Sequence, residues 1–358
     1  MHTDLAMLCV KPTWSLREAM TQIERNRLGI VLVVDDDGRL LGTVTDGDVR
    51  RAVLASLSLQ QPVQTLLERK AGSAFARPIV AMVGENRQTY LHALQQHNIS
   101  HLPIVDSMQR IVGLVTVDDF VTTQAPPVKA VVMAGGTGSR LLPLTEETPK
   151  PMLHVGDRPL LELIIERLRE AGIRQVKVTT HHKPEKISEH FGDGSEFGVE
   201  LSYVAEDRPL GTVGGLGLIE TPKETTLVMN GDILTQVDFR AMLAYHREHQ
   251  ADLTVAVRHY DLNVPYGVVA CDGPVVRGLT EKPVFSFFVN AGIYLLEPPV
   301  YGFIPNGQRL DMTELIASLL RAGRPVVSFP VCEHWLDIGQ PEDYEKAQLL
   351  VRSWGSRE

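Results

Sequence analysis

The chain has 358 residues, 44% of them hydrophobic, and a formal net charge of −9. That length suits two or three domains, and that apolar fraction suits packed cores rather than disorder. The negative balance argues against nucleic-acid binding through a broad basic face, so any anionic ligand must be met by locally placed cations.

The first residues (MHTDLAMLCVKPTW) lack the basic-then-apolar pattern of a secretory signal. No apolar run approaches the roughly 18 residues of a membrane span. Cys9, Cys271 and Cys332 are too scattered for a metal cage or a disulfide framework. A cytoplasmic location is expected, with no membrane and no nucleic-acid partner.

The N-terminal part contains a repeat. Residues 30–35 (IVLVVD) and 40–48 (LLGTVTDGD) are matched by 101–106 (HLPIVD) and 111–119 (IVGLVTVDD), 71 positions on. Each copy opens with a helical pattern: Leu16, Ala19, Met20 and Ile23 in one, Leu91 and Leu94 in the other. An apolar strand, an acidic turn and a second strand follow, and Thr-x-x-Asp then opens a short helix. One such unit could hardly bury its apolar face alone, so the copies should pack on each other. The pattern resembles a tandem pair of CBS domains, about 5–58 and 74–124. The resemblance implies that Thr45/Asp48 and Thr116/Asp119 hold a nucleotide effector, although the same spacing also produces plain helix caps. CBS pairs commonly associate, so a homo-oligomer, dimer or tetramer, is expected.

Two prolines at 124–127 (QAPP) mark a linker, with boundaries of 1–124, 125–128 and 129–358. After it, strand-like runs at 128–134, 176–180, 226–230 and 253–258 alternate with helical segments at 160–171 and 239–249. This alternation predicts a mixed, mainly parallel, Rossmann-like α/β sheet, with ligands beyond the C-terminal strand ends.

At the first of those ends the sequence reads VVMAGGTGSRLLPLTEETPKPM (131–152). Glycines at a strand tip let backbone N–H groups approach an anion, and the nearby Arg140 and Lys150 suggest a phosphate chain. The segment is not a P-loop, because Ser139-Arg140 follows Gly138 where Lys-Ser/Thr is required. It is not a dinucleotide fingerprint either, because Leu141 stands where Gly or Ala is required.

This stretch resembles the AGGxGxRLxPLT…PKPM signature of sugar-1-phosphate nucleotidyltransferases. The resemblance covers about residues 128–350 and implies transfer of a nucleotidyl group from an NTP to a sugar-1-phosphate. It gives Ala134, Gly135, Gly136, Thr137 and Gly138 the phosphates, with Arg140 and Lys150 as catalytic cations. It makes Asp232, in LVMNGD (227–232), and Asp337, in HWLDIG (334–339), catalytic ligands of Mg²⁺, with Asn230 beside the nucleotide. Leu210, Gly211, Thr212 and Gly214 match the family's base-binding turn. Glu206, an acceptor suited to guanine's N1–H and N2–H₂ edge, leans the reading to GTP. Gly267, Glu281, Lys282, Asn290 and Gly292 are implied on the sugar-phosphate side. Fusions of the two families resemble bacterial enzymes making GDP-hexosamines. UTP or dTTP use, and a non-catalytic nucleotide sensor, are the alternatives. His181-His182-Lys183 reads as a turn, and no acyltransferase β-helix is expected.

Overall fold

The computed structural model describes residues 1–72, 76–120 and 128–355, with side chains up to residue 352. The expected linker at 124–127 lies outside the described residues. The chain divides into two compact units, Met1–Gln124 and Ala125–Glu358.

In the first unit both repeats fold alike. Helix α1 (Leu16–Asn26) starts at a reciprocal capping box between Ser15 and Glu18 and buries Leu16, Ala19, Met20 and Ile23 along one stripe. Strands β1 (Ile30–Val34) and β2 (Leu40–Thr45) pair antiparallel, with a register irregularity between Val33 and Val34. Helix α2 (Asp46–Leu54) and helix α3 (Val63–Lys70) follow. The second copy has helix α4 (Arg87–Gln96) and strands β3 (His101–Val105) and β4 (Ile111–Thr116), irregular at the equivalent Ile104/Val105. One core joins the copies: Leu8, Ile30 and Leu32 pack with Val105, Ile111 and Leu114. His101 Nε2 also donates to the Leu28 carbonyl at 2.7 Å.

Two details differ from expectation. Tyr90 and Leu94 face the core of the second copy, while Leu91 is only half-buried. After Thr116 the described residues form only a 3₁₀ turn, Val117–Asp119.

The second unit is built on a seven-stranded sheet. Its elements are β5 (Lys129–Met133), α5 (Leu160–Glu170), β6 (Gln175–Thr180), α6 (Pro184–Phe191), β7 (Glu200–Ala205) and β8 (Thr226–Asn230), then β9 (Ile233–Thr235), α7 (Phe239–Glu248) and β10 (Leu253–Asn263). The hairpin β11 (Val268–Asp272) and β12 (Val275–Thr280) leads to β13 (Val284–Leu296), α8 (Met312–Arg321), β14 (Val326–Val331), β15 (Trp335–Asp337) and α9 (Pro341–Gly355). The strand order is β7-β6-β5-β8-β13-β10-β14, with β13 the antiparallel member. Helices cover both faces because successive side chains of the buried strands point to opposite sides. Ala130 and Val132 of β5 pack with Leu161, Ile164 and Leu168 of α5. Val131 packs on the other side, in the cluster containing Leu315 and Leu319 of α8.

Strand β10 runs past its expected end at 258. His259–Asn263 continue in register with Val284–Phe288 of β13, so this pair leaves the main sheet as a two-stranded ribbon. Among the described residues no helix is long and apolar enough to cross a membrane.

Arg50 is fully buried in the first unit, and its Nε and Nη2 donate to both oxygens of Asp46 at 2.7 and 2.9 Å. Breaking a buried, two-bond ion pair leaves a charge without its counterpart. Arg50→Ala is therefore expected to cost about 3–5 kcal/mol in the unfolding of this unit. The exposed pair of Arg39 and Asp37 is worth under about 1 kcal/mol, so Arg39→Ala serves as the control. Equal effects on denaturant unfolding would contradict this.

Candidate functional site

The glycine turn after β5 holds its shape through one close contact. Gly138 has φ +67°, and a Cβ there would stand 2.8 Å from Thr145 Cγ2 and 3.1 Å from Lys150 Cβ. Only glycine fits. Thr145 Oγ1 donates to the Gly138 carbonyl at 2.8 Å, which folds the chain back and sets Lys150 beside the turn. Ala134 is buried and its N–H bonds the Thr179 carbonyl, while Gly136, Thr137 and Arg140 are exposed. Buried Leu141 anchors the 3₁₀ turn that carries Arg140.

The two aspartates come together through a short strand pair. β8 ends at Asn230, and Gly231 donates to the Met133 carbonyl at 2.8 Å, so Asp232 emerges next to the glycine turn. β9 then pairs with β15, setting Ile233 opposite Asp337, and the Ile338 N–H bonds the Asp232 carbonyl at 3.0 Å. Lys150, a residue only 8% exposed, donates through its Nζ to Asp232 Oδ2 at 2.5 Å. Around Gly339, a Cβ would lie 3.5 Å from Asp337 Oδ1, 3.7 Å from Arg140 Nη1 and 3.9 Å from Asp343 Oδ2. Arg140, Lys150, Asp232 and Asp337 thus form one cluster, and Asp343 joins it unforeseen.

This cluster fits a hard divalent cation. Asp232 Oδ1 is buried without a hydrogen-bond partner. Burial first, then the charge of Asp232, push the Asp337 carboxyl above its usual range, while Lys150 and Arg140 pull the other way. Among the described residues no three His, Cys, Asp or Glu side chains group tightly enough to hold an ion by themselves. Two carboxylates with a shell completed by other oxygens is the pattern Mg²⁺ prefers.

Glu206 is buried behind both glycine segments. A Cβ on Gly135 would lie 3.2 Å from its Oε1, and one on Gly215 only 2.6 Å. Its Oε2 accepts from the Leu210 N–H at 3.1 Å, and its backbone carbonyl accepts from His181 Nδ1 at 2.8 Å. His181 is thereby tied into the turn. The Leu210–Gly214 loop is clamped to the start of α8. Thr212 N–H bonds Asp311 Oδ1 at 3.1 Å, Thr212 Oγ1 accepts from Met312 N–H at 2.8 Å, and the Val213 and Gly214 N–H groups share the Leu310 carbonyl at 3.2 Å.

An open cleft of about 410 Å³ adjoins Asp337. Thr212, Asn230, Asn290 and Gly292 line it, as do Tyr294, Asp311, Thr313 and Trp335, which the sequence reading did not single out. Trp335 lay inside the quoted HWLDIG segment, and Asp311 could have been found from its capping box with Glu314. Gly267, Glu281 and Lys282 do not line this cleft. They sit at the joint between the ribbon and the β11–β12 hairpin, where Gly267 lies next to Glu281.

In the first unit both Thr–Asp pairs act as caps. Asp48 accepts from the Thr45 N–H at 2.9 Å and is gripped by Lys70 at 2.7 Å and Arg51 at 2.9 Å. Lys70 also lines a cavity of about 240 Å³ with Gly42, Leu67 and Arg77. Asp119 accepts from the Thr116 N–H at 2.9 Å and from the Met1 amino group at 2.9 Å.

A mannose-1-phosphate guanylyltransferase of Mycobacterium tuberculosis is 37% identical over 234 residues, covering 63% of this chain and 65% of the relative. A UTP–glucose-1-phosphate uridylyltransferase of Synechocystis is 34% identical over 252 residues, covering 64% of each. This chain therefore spans just under two thirds of the length of these relatives. A solved structure described as a glucose-1-phosphate thymidylyltransferase from Bacillus anthracis superposes with a TM-score of 0.53 at 26% identity, covering 63% of this chain and 95% of that one. Residues 1–55 and 91–125 match the CBS domain. Residues 129–353 match the nucleotidyl transferase family, and the chain belongs to that family.

Proposed function

We infer that this chain is a sugar-1-phosphate nucleotidyltransferase. The observation carrying this reading is the convergence of Asp232 and Asp337 beside Lys150, Arg140 and the glycine turn. A sugar phosphate oxygen attacks the α-phosphorus of an NTP and pyrophosphate leaves, so the protein's work is alignment and charge stabilisation. The backbone N–H groups of 135–138 and the exposed Arg140 receive the triphosphate and stabilise the leaving pyrophosphate. Lys150, fixed by Asp232 and by its burial, meets the phosphates from the other side. Asp232 and Asp337 would hold Mg²⁺, which when bound neutralises phosphate oxygens. Asn290 and Gly292, which line the cleft, face the sugar, and the family resemblance assigns Glu281 and Lys282, at the joint of the ribbon, to the same sugar-phosphate side.

GTP is the favoured donor. Glu206 is a buried carboxylate acceptor between the two glycine segments, and guanylyltransferases are among the most similar relatives. UTP remains the second reading because a uridylyltransferase is similar to nearly the same degree. A hexosamine-1-phosphate or mannose-1-phosphate is the acceptor. The CBS pair binds a nucleotide effector by displacing the Lys70 and Met1 contacts on Asp48 and Asp119, and the enzyme works as a cytoplasmic homo-oligomer.

The direct test incubates the full chain with Mg²⁺, four NTPs and a panel of sugar-1-phosphates, followed by product masses. A GDP-sugar is expected. Asp232→Asn should lower kcat at least 10²-fold, the scale seen when a transition-state charge contact is lost. Nucleotide binding without turnover in the native chain would identify a sensor instead. Glu206→Gln keeps an acceptor for Leu210 but weakens the pairing with guanine. It should reduce kcat/KM for GTP by about 10- to 100-fold and leave UTP unchanged; an unchanged GTP value removes Glu206 from base recognition. For regulation, adenine or guanine nucleotides at fixed substrate should shift the rate. Asp48→Asn combined with Asp119→Asn, which retains cap acceptors, should abolish the shift. Identical kinetics with and without nucleotide would make the CBS pair structural.

A further inference from the structure

The ribbon made by the ends of β10 and β13, with the β11–β12 hairpin beyond it, is the most apolar exposed part of the described chain. Eleven of the twenty-four large apolar side chains that are exposed among the described residues fall between positions 260 and 288. Register sorts them by face. Tyr260 pairs with Phe287 and Leu262 with Phe285, so these four share one side of the ribbon. They are 52%, 53%, 47% and 43% exposed. The opposite side is mixed: His259, Asp261, Asn263 and Ser286 share it with Phe288 and Val284. His259 stacks edge-on against Phe288 at 5.7 Å, and Asp261 accepts from Ser286 Oγ at 2.6 Å. The Tyr260–Leu262–Phe285–Phe287 side is thus uniformly apolar, and about half of its side-chain surface is left open among the described residues.

We propose that this face is the contact between two copies of the chain, apolar side against apolar side. Three observations select a second copy over other occupants. The face carries no charge at Tyr260, Leu262, Phe285 or Phe287, so laying it on its own duplicate brings no like charges together, as a two-fold contact requires. Its area is right. At roughly 100 Å² for each half-exposed large side chain it offers about 400 Å² of apolar surface, and a standard interface takes about 800 Å² per partner, a little over half of it apolar. The neighbouring charges are balanced: Arg258, Arg277 and Lys282 against Asp261, Asp272 and Glu281. An anionic lipid surface, or a strongly charged protein, finds nothing to attract it there, and the chain's net charge of −9 repels the former. The inference concerns assembly and stands whether or not the catalytic reading holds.

Sedimentation equilibrium of the full chain at micromolar concentration tests it, comparing the native chain with Phe287→Asp, with Leu262→Lys as a second variant on the same face and Val284→Asp as a control on the opposite face. Far-UV circular dichroism establishes that each variant is folded. The native chain is expected at a dimer mass or a multiple of it. Phe287→Asp or Leu262→Lys should halve that mass, and Val284→Asp should leave it intact. A monomeric native chain overturns the proposal, as does an unchanged mass in folded Phe287→Asp and Leu262→Lys. Dissociation by the control to the same extent also overturns it, because the contact then does not belong to this face. If the native chain is monomeric but binds liposomes, and Phe287→Asp does not, the occupant is a membrane and the proposal fails.

Discussion

Everything chemical in the second unit depends on a strand pair three residues long. Ile233–Thr235 and Trp335–Asp337 lie outside the main sheet, yet their pairing is what brings the end of β8 and the approach to α9 together. With Ile233 opposite Asp337 and Ile338 bonded to the Asp232 carbonyl, the two residues are held close, and the charge of Asp232 helps push the Asp337 carboxyl up. Two like charges in a partly buried site are unfavourable. The protein offsets part of that cost with the buried ammonium of Lys150 and the guanidinium of Arg140. The buried, unpartnered Asp232 Oδ1 is where the remaining deficit of positive charge is felt.

The main sheet supplies the geometry that makes this pairing useful. β5 and β8 are adjacent and parallel, so the glycine turn and the Asn-Gly-Asp segment emerge side by side at one edge. Their hydrophobic faces are committed to separate helix layers, which fixes strand orientation without any help from the polar residues beyond the strand ends. The loop that would receive the base is held differently. It has no strand of its own and borrows rigidity from the Asp311 cap and the Leu310 carbonyl at the start of α8. A nucleotide entering here meets loops already fixed by backbone hydrogen bonds, which lowers the ordering cost of binding.

Much of this was legible in the sequence because it is written locally. The repeat survived as a constant offset, and even its strand irregularity recurs at the equivalent position, Val33/Val34 and Ile104/Val105. The glycine signature was readable because Gly138 cannot be anything else beside Thr145 and Lys150. The elements with clean periodicity, such as Leu160–Glu170 and Gln175–Thr180, appear within a residue or so of their expected bounds. What escaped depends on partners distant in sequence. Tyr294 and Asp311 enter the cleft only through tertiary packing. The Lys70–Asp48 pair spans 22 positions and announces itself by no local pattern. The ribbon was cut short at 258 because alternating His, Tyr, Asp and Leu reads as a loop until Val284–Phe288 pair with it. For the same reason Glu281 and Lys282 stand at the ribbon's far joint rather than in the cleft.

The central claim is that Asp232 and Asp337 share one divalent cation. Electron paramagnetic resonance of Mn²⁺, titrated into the full chain with a non-hydrolysable GTP analogue, tests it most directly without requiring turnover. One Mn²⁺ per chain is expected, with its affinity reduced at least tenfold by Asp232→Asn and by Asp337→Asn alike. Retention of that single site in either variant, or its loss in one alone, would contradict a shared ion.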